Sequence, residues 1–107
     1  MSEFTLIESL AGEVTIPVDG ILSRTIYADD RLRAVVFAFD AGQELSDHTA
    51  AVPAVIHVLD GQAAVTVAGQ QHEVGPGAWI HLDASVTHAV LARTPVVMLL
   101  LLLPRPD

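Results

Sequence analysis

The sequence predicts an all-β domain, a sandwich or small barrel, on three observations. Short runs rich in valine, isoleucine and alanine recur along its 107 residues, each roughly four to ten residues long. Turn-forming pairs and triplets separate them, among them Asp19-Gly20, Asp29-Asp30, Asp60-Gly61 and Gly75-Pro76-Gly77. A helical pattern appears at most once, near the N-terminus, so strands alternating with helices are not available to this chain.

Taken in order, residues 4–11 (FTLIESLA) place Leu6, Ile7 and Leu10 on one side of a short helix that Gly12 would end. Residues 14–18 read as a short extended segment, limited by Pro17. Strands are expected over residues 22–28 and 31–40, and Ala41-Gly42 breaks the pattern. Residues 54–59 form the next strand, closed by Asp60-Gly61. Residues 63–68 and 71–74 read as a hairpin about Gly69-Gln70. Residues 75–77 make a loop, because two glycines around a proline interrupt any regular element. Strands over residues 78–82, 88–92 and 96–103 complete the set. The last, VVMLLLLL, lies between Pro95 and Pro104. It is far short of the roughly 20 residues a membrane helix needs and suits a strand buried on both faces.

Composition narrows the function classes. One domain is expected over residues 1–107, with its barrel core at about 31–103. Hydrophobic residues make up 51% of the chain, which argues against disorder. The absence of cysteine excludes disulfides, a thiolate nucleophile and cysteine-ligated zinc, and it fits a cytoplasmic setting. A net charge of −8 argues against nucleic acid or an anionic membrane as partner. The opening MSEFTLIESL lacks the basic stretch of a signal peptide. No serine elbow, glycine-rich phosphate loop or pair of carboxylates on one strand face is present.

Two stretches carry the chemistry. Residues 42–61 (GQELSDHTAAVPAVIHVLDG) run from a glycine through His48 to the Asp60-Gly61 turn, and residues 75–88 (GPGAWIHLDASVTH) lead through a strand to His88. They resemble the two motifs of the cupin superfamily, G-x5-H-x-H-x3,4-E-x6-G and G-x5-P-x-G-x2-H-x3-N. Gly42, His48 and Gly61 fall in register with the first, and Gly77, Ile80, Leu82 and His88 fit the second. The resemblance, which spans about residues 31–103, implies a jelly-roll β-barrel (a double-stranded β-helix) of the RmlC-like kind, with at most one short N-terminal helix.

The departures bear on function. The second histidine of the first motif falls on Ala50 and its glutamate on Ala54; in the second motif Asp83 and Ser85 replace proline and glycine. Cupins that hold iron, manganese, nickel or zinc usually offer three histidines and a carboxylate. Carried over position by position, only His48 and His88 remain as metal ligands. Such a pair could hold a divalent transition metal (Zn, Ni, Cu, Fe or Mn) with waters, or serve as metal-free pocket histidines. His57 and His81 would add donors only if they faced inward. Period-2 alternation instead places Ala54, Ile56 and Val58 inside and His57 outside, with Trp79 and His81 outside on the neighbouring strand. A β-bulge would turn His57 inward as a further ligand. His72 is expected to face solvent without a role.

Two functions are therefore expected as alternatives. One is small-molecule binding in a pocket of His48, Ala50, Ala54, Ile56, Ile80 and His88, where alanine in place of ligands leaves apolar space. The other is a metal-dependent enzyme of dioxygenase, isomerase or decarboxylase type with a reduced histidine site. The Trp79 face and the leucine-rich last strand also suggest a homodimer.

Overall fold

Alternating burial along short β-prone runs decides the architecture. A computed structural model describes residues 3–105, and within them the chain forms nine strands in two antiparallel sheets. They are β1 (Ile21–Ala28), β2 (Arg33–Phe39), β3 (Glu44–His48), β4 (Ala54–Asp60), β5 (Ala63–Val67), β6 (Gln70–Val74), β7 (Trp79–Leu82), β8 (His88–Ala92) and β9 (Val96–Leu102). The larger sheet runs β1-β2-β9-β4-β7 and the smaller β3-β8-β5-β6. Neighbours distant in sequence, such as β2 beside β9 and β3 beside β8, give the jelly-roll topology.

The core lies between the sheets. Phe39, Ile56, Val65, Val90, Val96 and Met98 meet there, each at most 1% exposed. Burying each such side chain contributes about 1.5–3 kcal/mol before entropy is counted. β9 is central to the larger sheet, which is why its run carries no polar residue: Val96 and Met98 pack inward while Val97, on the other face, is still only 6% exposed.

Turn chemistry sets the registers. The β5–β6 hairpin turns on Ala68 and Gly69, with φ of 50° and 82°, one residue earlier than expected. Positive φ at both positions is the two-residue geometry that follows strand twist. At the β4–β5 turn Gly61 has φ 88°, and a Cβ there would collide with the carbonyl oxygen of Pro95. Glycine is required at that point on both counts.

Two expectations need correcting. The N-terminal helix does not form: the segment has only a 3₁₀ turn at Ala11–Glu13, with Gly12 inside it. Residues 14–18 join neither sheet. Arg24, which pairs with Val36 on the outer face of the larger sheet, donates to the Glu13 carbonyl oxygen at 3.2 Å. That bond ties the early chain to the outer face of the larger sheet, where Val36 is 0% exposed. The second correction is β3, a strand over residues where the sequence pattern predicts none.

Candidate functional site

β3 is an edge strand, and its polar sequence, ELSDH, has no apolar alternation to announce it. It pairs only with β8, Leu45 opposite Val90 and His48 opposite His88. Three steps on β3 therefore match two on β8, which is a β-bulge. Leu45 packs toward the core. Regular alternation would turn Asp47 inward and His48 outward. The extra residue reverses that parity and sets His48 beside His88, which shares the inner face of β8 with Val90 and Ala92.

The two rings lie 4.0 Å apart between centroids, tilted by 57°. His88 is 3% exposed and His48 is half-buried. Each ring donates from Nδ1 to a backbone carbonyl two residues earlier, His48 to Ser46 O and His88 to Val86 O, both at 2.9 Å. A carbonyl only accepts, so a proton is assigned to each Nδ1, and in that tautomer each ring keeps its Nε2 lone pair free. The pair thus presents two hydrogen-bond acceptors, or two ligand nitrogens, from rings whose orientation is set by the backbone.

The loops that follow β3 and precede β8 are tied together, since Ser85 N–H donates to Ala50 O at 2.8 Å. Beside them lies a cavity of ≈590 Å³ lined by Ala51, Val52, Pro53, Asp83, Ala84 and Arg105. A second, of ≈430 Å³, opens between the edge strands β6 and β7. Neither cavity is lined by Ala50, Ala54 or Ile56, part of the expected pocket wall. Ala50 is half-buried in the loop, while Ala54 and Ile56 are 2% and 1% exposed in the core cluster with Leu82 and Met98. Of that wall, Ile80 lines a cavity, the one between β6 and β7.

β4 pairs with β7, Ile56 opposite Ile80 and His57 opposite Trp79. His57 sits between Ile56 and Val58, which are 1% and 0% exposed and face the core, so it lies on the outer face and is not a ligand beside His48. The irregularity in β4 falls after it, between Val58 and Asp60, and leaves its parity unchanged. Val55 is opposite His81, and the His81 ring stacks 6.5 Å from Trp79. His72 lies on β6 and faces solvent as expected. It is also paired with core residue Val65 and lines the β6–β7 cavity. Its alternation with Val74 in QQHEV was the signal for this.

Among the described residues no group of three or more His, Cys, Asp or Glu side chains could hold a metal ion. The donor set at the pair, two imidazoles with alanines at the other two motif positions, does not fit a three-histidine, one-carboxylate centre.

Fold and paired histidines together define a cupin. Residues 35–102 match the family model described as the cupin domain, and the chain belongs to that family. Among solved structures it is similar to a conserved protein of unknown function from Streptococcus pyogenes, 31% identical over 99% of this chain and 93% of that one, with TM-score 0.86. A cupin 2 conserved barrel domain protein from Leptotrichia buccalis is 30% identical over 87% of this chain and 45% of its own, with TM-score 0.79. KdgF from Halomonas sp., at 24% identity, 82% of each chain and TM-score 0.77, shares the fold. No curated protein matches the chain. No helix among the described residues is long and apolar enough to cross a membrane.

Proposed function

We propose that this cupin binds a small molecule at the His48–His88 pair. The observation that carries the reading is the paired Nδ1–H bonds to Ser46 O and Val86 O, which leave two Nε2 acceptors held in place without a ligand's help. Rotamer and tautomer are set before binding, so little ordering cost remains. The natural complement is a neutral or cationic hydrogen-bond donor, a hydroxyl or an amine. A chain of net charge −8 disfavours an anion. A cytoplasmic setting goes with this reading and rests on the cysteine-free sequence alone.

The same free Nε2 atoms favour a second reading, metal-assisted catalysis, against which the short donor set weighs. Elemental analysis of untagged protein, followed by ligand titration monitored at the imidazole NMR signals, separates the two. Binding to metal-free protein that His48→Gln and His88→Gln each weaken about tenfold, the scale of one lost hydrogen bond, is the expected result. Near-stoichiometric metal that cannot be removed without loss of binding would transfer the role to the second reading.

The protein acts as a homodimer in this proposal. The outer face of β9, β4 and β7 carries half-buried Leu99, Leu101 and Leu59 beside Trp79, which is 61% exposed. A second copy laid on that face would cover the leucines and the outer side of the Trp79 ring, whose other edge borders the β6–β7 cavity. Light scattering at micromolar concentration is expected to give twice the 11.3 kDa chain mass; a monomer would refute it.

A further inference from the structure

The cavity between β6 and β7 has no part in the site described so far. These strands are consecutive in sequence but form edges of opposite sheets, so the sandwich is open between them. Its lining divides in two. Val67, Val74, Ala78 and Ile80 are half-buried and apolar, whereas His72 and Trp79 are exposed at the rim.

This cleft adjoins the paired imidazoles through one residue. Val67 is directly opposite His88 in the β5–β8 ladder, so both side chains share the inner face of the smaller sheet. Side chains so paired have Cβ atoms about 4.5–5.5 Å apart. A molecule against Val67 in the cleft is therefore one side chain away from His88.

We infer that the cleft holds the flat, apolar body of the ligand whose donor group binds His48 and His88, which makes that ligand an aryl alcohol or aryl amine. The inference rests on the proposed function for its polar end only. An aromatic body suits apolar walls with an indole at the rim, because ring contacts add to plain area burial. A hydroxyl or amine suits two Nε2 acceptors in an acidic protein, where a carboxylate would meet lone pairs and net negative charge.

Trp79 is the only tryptophan, so its indole N–H gives a single reporter at the rim. The test is titration of ¹⁵N-labelled full-length chain with 2-naphthol and with naphthalene, following the indole and the histidine rings. Saturable shifts of Trp79, His48 and His88 by 2-naphthol are expected. His88→Gln should weaken 2-naphthol about tenfold, the scale of one lost hydrogen bond, and leave naphthalene unchanged. Ala78→Phe, or Val74→Phe should the first not fold, fills the cleft and should abolish both indole shifts.

Histidine shifts without an indole shift would overturn the cleft while leaving the imidazole site standing. Indole shifts indifferent to His88→Gln would overturn the joined ligand and leave a separate aromatic site. Silence at both reporters overturns the aryl class.

Discussion

Two pairs of histidines sit on strands of the same barrel and differ in almost everything that matters for chemistry. His48 and His88 face inward on the smaller sheet, with Nδ1 of each tied to a carbonyl oxygen at 2.9 Å. His57 and His81 lie on the outer face of the larger sheet. There His81 stacks on Trp79, and its Nδ1 is 4.0 Å from the carboxylate of solvent-exposed Asp83. The residue types are identical. What separates the pairs is the face each strand presents and whether the backbone holds the ring. His81 is exposed and His57 half-buried, and exposed contacts of this kind contribute little.

The largest difference should appear when one member of each pair is removed. His88→Ala leaves a cavity in a site 3% exposed and removes the donor to Val86 O. A stability loss of about 2–4 kcal/mol is expected, together with loss of ligand binding. His81→Ala should change stability by less than about 0.5 kcal/mol. Urea unfolding of both variants measures the contrast, and equal losses would mean that burial does not distinguish the pairs.

A second experiment makes the inner pair into the full donor set. Ala50→His with Ala54→Glu adds ligands at the two positions where the family motif has them. Ala54 is 2% exposed, so glutamate alone buries a carboxylate and should destabilise the protein. Zinc or nickel would reverse the loss, because a ligand that binds only the folded state stabilises it. The expected signature is a metal-dependent rise in Tm for the double variant of several degrees more than for the parent chain. Equal responses would show that the two alanines are not what limits metal binding.

The barrel was legible in this sequence because its strands are buried on a regular pattern: Ile56 and Val58 inside with His57 out, Ile80 and Leu82 inside with Trp79 out. The site was only half legible. His88 follows from alternation with Val90 and Ala92, but His48 reaches it through a bulge between Leu45 and His48, and one inserted residue leaves no mark in ELSDH. The apolar residues 4–11 misled in the opposite direction. Leu6 and Phe4 are 71% and 76% exposed, while Ile7 and Leu10 are half-buried, so their spacing reflects no helical stripe. Short segments are marginal as helices without a packed face.

The outer pair is expected to show its function in assembly. Trp79→Ser removes the largest exposed apolar side chain of that face and should weaken dimerisation at least tenfold, or about 1.4 kcal/mol. His48→Gln should leave it unchanged. Light scattering across a dilution series reads both. Were His48→Gln to loosen the dimer as much as Trp79→Ser, the two faces would not be independent.

The smallest effect concerns a third place, the outer face of the smaller sheet, where no histidine takes part. Arg93 donates from Nε and Nη2 to the two carboxylate oxygens of Glu73 at 3.1 and 3.2 Å, and Gln71 adds a bond at 3.0 Å. The Arg93 bonds first, then that from Gln71, hold the Glu73 carboxyl below the usual carboxylate range. Since the folded value lies below the unfolded one, the contribution is complete above the unfolded pKa and lost as pH falls through the folded one. Arg93→Ala should therefore lower Tm slightly at neutral pH, and the two Tm curves should converge under acid. The pair is exposed, so the gap will be small. A gap that stayed constant down to about pH 2, below the carboxylate range, would assign the loss to the packing of the arginine stem instead of its charge.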